Sequence, residues 1–208
     1  MVTRAVAPRR RAPWATLGAA LALALSACGS ATSSATDNPA LGPGPSKATT
    51  DRAGGGNVKP ASGPVLKAEG FSFHAPKGWA DVTDHATSGV LLSAAHLADE
   101  EPLAITVSRV TPGAKTASAA RSKAKALLGQ ADATKIRVLA DTTIAGNPAA
   151  HVVGVQNLRG THYQLDVFYV RTPHAAWPLV FATNRYTTRD RRDSMLASVL
   201  KTCHWQEA

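Results

Sequence analysis

The chain has 208 residues, 23 Lys+Arg against 14 Asp+Glu, and a formal charge of +9. Its 44% apolar content leans on alanine, and aromatics reach only 5%. With two cysteines and no apolar run of the ~20 residues a membrane span needs, composition excludes a multi-pass membrane protein, a disulfide scaffold and a coiled coil.

Residues 1–27 read as an export leader. Arg4, Arg9, Arg10 and Arg11 form a basic start without acids, and Trp14 to Ala27 follows without charge. That stretch is about 14 residues, the length of a signal-peptide apolar region and too short to span a bilayer. It ends Leu25-Ser26-Ala27-Cys28-Gly29. Leu25 suits an ordinary signal-peptidase site poorly, whereas Leu, two small residues and Cys resemble the lipobox of bacterial lipoproteins. The resemblance implies that Cys28 carries the lipid and becomes the first residue of the mature chain, which places the protein on the extracytoplasmic face of the cell membrane. Three consecutive arginines also suit export by the twin-arginine route, but Arg11-Ala12-Pro13-Trp14 lacks the apolar pair and lysine that follow them there.

The leader holds four Arg and no acid, so its removal leaves 19 basic residues against 14 acidic, a net +5. That excess suits a position near anionic headgroups or wall polymers. Nucleic-acid binding would call for clustered Lys and Arg. Here Arg189-Asp190-Arg191-Arg192-Asp193 interleaves its acids, and Arg121-Ser122-Lys123-Ala124-Lys125 reads as a solvated helix face. No nucleic-acid partner is expected. With Cys28 lipidated, Cys203 stands alone, expected as a buried helix residue rather than an intermolecular bridge.

Residues 28–66 read as a tether. Gly42-Pro43-Gly44-Pro45 and Gly54-Gly55-Gly56 punctuate a Gly/Ser/Thr/Ala/Pro-rich run without hydrophobic period, too polar to offset its chain entropy. A flexible spacer of that length has a mean reach of about 35 Å.

From residue 67 to 205 the pattern is that of one α+β domain. Phe71-Ser72-Phe73-His74 alternates before the turn Pro76-Lys77-Gly78-Trp79. Val90-Leu91-Leu92 is a short apolar run, and Leu103, Ile105 and Val107 alternate as a strand. Thr116 to Gln130 predicts a helix with Ala117, Ala120, Ala124, Leu127 and Leu128 on one face, ended by Gly129. Ile136 to Ile144 predicts a strand, Gly146-Asn147-Pro148 a turn, and Ala150 to Gln156 its hairpin partner. Tyr163 to Val170 and Trp177 to Thr183 are two further strands. The last element is a helix over Arg189 to His204, N-capped by Thr187 or Thr188, with Met195, Leu196, Val199, Leu200 and Cys203 as its apolar stripe. Grouped strands with two helices imply a largely antiparallel sheet.

Phe71-Ser72-Phe73 leading into Ala75-Pro76-Lys77-Gly78-Trp79, the segment Thr143-Ile144-Ala145-Gly146-Asn147-Pro148-Ala149, and the closing Met195-Leu196-Ala197-Ser198-Val199-Leu200 together resemble the Mog1/PsbP-like superfamily, which includes small actinobacterial lipoproteins. The resemblance covers about residues 68–205. It implies an antiparallel sheet with helices packed on its two faces, a binding or accessory role, and no catalytic residues.

Chemistry is sparse. There is no His-Glu-x-x-His, phosphate-cradling glycine loop, Cys-x-x-Cys or Gly-x-Ser-x-Gly. His74, His85, His96, His151, His162, His174 and His204 stand at no ligand spacing, and His162 and Asp166 lie about 13 Å apart along one strand. No metal or cofactor is expected. The enzyme alternative is a hydrolase drawing on Ser88, Ser93 or Ser108, with His96 or His151 and Asp81 or Asp166. Trp79, Trp177, Tyr163 and Tyr169 suit either core packing or a ligand groove. The sequence thus favours a lipid-anchored, non-catalytic module that engages another envelope protein or an amphipathic ligand.

Overall fold

The computed structural model describes residues 58–97 and 103–206. The leader, Cys28 and the tether up to residue 57 lie outside the described residues. Among those described, no helix is long and apolar enough to cross a membrane.

Eleven strands and two helices are described. Strands β1 (Val65–Ala68) and β2 (Phe71–His74) form a hairpin, followed by β3 (Ala80–Asp81), a 3-10 turn (Thr83–His85), β4 (Val90–His96) and β5 (Leu103–Ser108). Helix α1 (Ala117–Gln130) precedes β6 (Thr134–Val138), β7 (Thr142–Ile144), β8 (Asn147–Leu158), β9 (Thr161–Arg171) and β10 (Ala176–Asn184). Helix α2 (Arg189–Leu200) and β11 (His204–Trp205) close the chain. One eight-stranded sheet runs β3-β4-β5-β10-β9-β8-β6, with β7 also paired to β8; a second, smaller sheet runs β1-β2-β11. All pairings are antiparallel, as grouped strands and short connections imply.

Two hairpin turns set the register of the long strands. Ala145 and Gly146 have φ of 44° and 83°, and Arg159 and Gly160 have 51° and 85°. Both are two-residue turns of the type whose twist matches antiparallel strands. The turn expected at Gly146-Asn147-Pro148 therefore sits one residue earlier, and Asn147 and Pro148 already pair with Ile144 and Thr143. The strand expected over Ile136 to Ile144 is two strands, each paired with β8.

Each face of the large sheet is covered. Ala120, Ala124, Leu127 and Leu128 of α1 pack on Val152, Tyr163, Leu165, Val167 and Tyr169. Thr116 caps α1, its hydroxyl accepting from Ala119 N at 3.1 Å. Gly154 lets α1 and the turn after it come close, since a Cβ there would stand 3.4 Å from Leu128 Cδ1 and 3.2 Å from Ala133 Cβ. On the other face, α2 and the small sheet bury Leu66, Phe71, Phe73, Leu196, Val199 and Cys203 with Ile105, Phe168, Leu179 and Phe181. Strand β10 lies between these layers and is buried at every position.

Three expectations are corrected. The closing helix ends at Leu200, not His204: Lys201 and Thr202 turn, and His204 and Trp205 pair with Ser72 and Phe71. Cys203 is buried as expected but lies beyond the helix, and burial pushes its thiol up to about 12. The packed domain also begins before residue 67. Ala61 N donates to Ser198 O at 3.0 Å, Gly63 N donates to Ala75 O at 2.8 Å, and Leu66 is fully buried. Backbone hydrogen bonds fix this stretch, which is why its lack of apolar period gave no sign of order.

Candidate functional site

Helix α2 borders two polar features, one on each side. The first is an open groove of about 370 Å³. The turn after β2 supplies Lys77 and Trp79, the ends of β4 and β5 supply His96 and Leu103, and α2 supplies Arg191, Ser194, Met195 and Ser198. Gly78 has φ of 85°, which lets the chain reverse here and present Lys77 at the rim. Trp79 is nearly buried and its ring lies 6.3 Å from that of His96. Arg191 and Lys77 are both exposed. Val58, the first described residue, also lines the groove, and its carbonyl accepts from Lys201 Nζ at 2.8 Å.

The second feature lies under α2. With Asp166 ionised, His151 Nε2 donates to Asp166 Oδ1 at 2.9 Å, and Arg192 Nε stands 3.7 Å from Asp166 Oδ2. That second oxygen is buried without a hydrogen bond. The His151 ring stacks on Phe168 with centroids 4.1 Å apart. The register explains the meeting: Asp166 faces Val153 and Phe168 faces His151, so His151 and Asp166 are diagonal neighbours on one sheet face. Arg192 reaches across from α2 to this pair. Breaking such a buried pair leaves an uncompensated charge and destabilises the fold. The cluster thus anchors α2 to the sheet.

The residues weighed for hydrolysis do not assemble around this pair. Ser93 and Ser108 alternate with Leu92, Ala94 and Val107, which share the face of His151, so both serines point to the opposite face. Ser88 is exposed in the turn before β4. Asp81 is engaged by Thr83, whose N and Oγ1 donate to Oδ1 at 2.9 and 2.6 Å. Among the described residues no serine hydroxyl is hydrogen bonded to His151. His162 stands on β9 with Asp166, but the partner Asp166 takes is His151 from β8. Among the described residues no three His, Cys, Asp or Glu side chains group to hold a metal ion.

Of the aromatics weighed for a groove, Trp79 lines this one. Tyr163 and Tyr169 lie under α1, and burial raises the Tyr169 phenol. Trp177 packs with Phe71 and Trp205 at centroid distances of 5.6 and 5.7 Å. The Arg109 guanidinium covers its ring at 5.5 Å. Trp205 Nε1 donates to Ile144 O at 3.2 Å, tying the small sheet to the β7–β8 hairpin.

The chain matches no protein-family model and no curated protein. Solved structures share its fold at low identity. A Bacteroides thetaiotaomicron protein is 16% identical over 70% of this chain with a TM-score of 0.49; the chain spans about half its length, 49%. A cyanobacterial PsbP from Synechocystis is 18% identical, with 73% of this chain and 96% of that one covered and a TM-score of 0.46. The Ran-binding protein Mog1p of Saccharomyces cerevisiae is 14% identical, with 69% of this chain and 96% of that one covered and a TM-score of 0.50. The architecture expected from the strand and helix order, an antiparallel sheet between helices of the Mog1/PsbP-like kind, is the one observed.

Proposed function

We propose that this protein is an envelope lipoprotein, held at the membrane by lipid on Cys28, whose folded domain binds a partner or ligand without transforming it. The observation that carries the anchoring is the leader that ends Leu25-Ser26-Ala27-Cys28. A thioether needs a nucleophilic sulfur, and the chain offers one at the position where such leaders are cut. The binding reading is supported by the groove beside α2, which is open and flanked by Trp79 and Met195. The His151–Asp166 pair resembles half of a hydrolytic triad, but it stacks on Phe168 and braces a helix.

Mass spectrometry of the native amino terminus tests the anchor. A diacylglyceryl group on Cys28 is expected, and Cys28→Ser should move the protein from membranes to the medium. An unmodified mature start elsewhere would refute it. A broad panel of activated esters tests the absence of catalysis: turnover abolished by His151→Ala with melting unchanged would establish a hydrolase instead.

A further inference from the structure

Resting on the reading of the groove as a ligand surface of an anchored module, we infer that it receives the phosphate headgroup of an anionic phospholipid from the bilayer that holds the protein. Charge is the first reason. Lys77 and Arg191 flank the groove from separate elements, the turn after β2 and the first turn of α2. Their neighbours on α2 are occupied: Arg189 lies 3.5 Å from Asp193, and Arg192 stands between Asp166 at 3.7 Å and Asp193 at 3.1 Å. Among the described residues Lys77 and Arg191 meet no carboxylate, and no described acidic residue lines the groove. Two cations that pair with no described carboxylate on one concavity fit a ligand that brings negative charge.

Shape and chemistry narrow the ligand. Beside the cations, Trp79, Leu103 and Met195 give the groove apolar lining, and Ser194 adds a hydroxyl to it. A volume of about 370 Å³ holds a headgroup and the first carbons of a chain rather than a whole two-chain lipid. Such a site draws on a bilayer without extracting lipid from it. Position agrees with this. Val58 lines the groove, and residues 29–57 join it to Cys28. With Cys28 anchored as proposed, the 29 residues between it and Val58 confine the groove to the neighbourhood of the bilayer, where the concentration of headgroups is high. The net +5 of the mature chain acts in the same direction.

The test uses residues 28–208 with Cys28→Ser, so that the acyl group does not mask the groove. The probes are vesicles of phosphatidylcholine alone and of phosphatidylcholine with phosphatidylglycerol, read by cosedimentation. Binding only to the anionic vesicles is expected. Lys77→Gln with Arg191→Gln should weaken it about 30-fold, the equivalent of about 1 kcal/mol for each basic residue near such a surface. Lys123→Gln with Lys125→Gln removes the same charge from the exposed side of α1 and should leave binding within about twofold. All four side chains are exposed, so folding is not at stake. Equal losses in the two double variants would reduce the effect to diffuse charge and overturn the proposal. So would indifference to phosphatidylglycerol, or a short acidic peptide that binds through Lys77 and Arg191 while vesicles do not. Lipidation is read separately on the wild-type chain: an unmodified Cys28 would refute the anchor and leave the vesicle result standing.

Discussion

Leu196→Ala measures how far α2 serves as a structural layer. Leu196 is 5% exposed and packs in the cluster that joins α2 to β2 and the large sheet. Truncation removes three carbons, worth about 0.8 kcal/mol each in transfer alone, or about 2.4 kcal/mol. The cavity left behind raises the total toward about 3–4 kcal/mol, inside the range of buried Leu→Ala changes. For a domain of this size about 1 kcal/mol moves the melting temperature by about 2–4 °C, so a fall of about 6–15 °C is expected by thermal unfolding followed by circular dichroism. Leu200, one turn further and half-buried, should lose less than half as much on the same substitution. A shift below about 2 °C for Leu196→Ala, or an equal shift for Leu200→Ala, would mean that α2 is an appendage and not the cover of the sheet.

Other expectations concern single groups. Asp166→Ala leaves His151 and Arg192 without their buried partner and should cost about 1–3 kcal/mol in denaturant unfolding, the part-exposed partner side chains keeping it below the full buried-pair penalty; no loss would deny the cluster its bracing role. Gly63→Ala would drive a Cβ against the carbonyl oxygens of Ala75 and Pro76, so a clear fall in melting temperature is expected, whereas a residue in a free tether would tolerate the change. Burial raises the Cys203 thiol from near 9 to about 12, so the unfolded chain ionises first as pH rises; the stability present below pH 9 should decline from there toward pH 12, by up to about 1.4 kcal/mol per unit. Cys203→Ala should flatten that decline relative to its own stability at neutral pH, and parallel profiles for the two proteins would contradict it.

Local patterns carried much of this fold. Helix α1 was legible because Thr116 and a one-sided run of small and apolar residues mark its start and face, whereas Gly129 lies inside its last turn and Ala131 caps it. Strand β5 was legible because its alternation sits on a half-polar face. The end of α2 was not, because Cys203 continues the helical spacing of Val199 and Leu200 after the helix has stopped. What converts His204 and Trp205 to a strand is pairing with β2, a partner far away in sequence. The His151–Asp166 contact was hidden for a similar reason. Both residues were visible as candidates, but their meeting depends on the turn at Arg159-Gly160, which sets the β8–β9 register. The groove likewise draws on a turn, two strand ends and a helix, none of which marks it alone.

The small sheet places the first pair of strands and the last strand of the described chain side by side, with β2 in the middle. Ser72 cannot meet His204, nor Trp205 reach the carbonyl of Ile144, until the chain is present through residue 205. Closure of this layer is therefore a late event by construction, and contacts of such long sequence separation slow folding. With the export proposed from the leader at residues 1–27, the delay is useful: translocation can proceed while the clasp between β2 and β11 is still open, and the domain locks once β11 arrives.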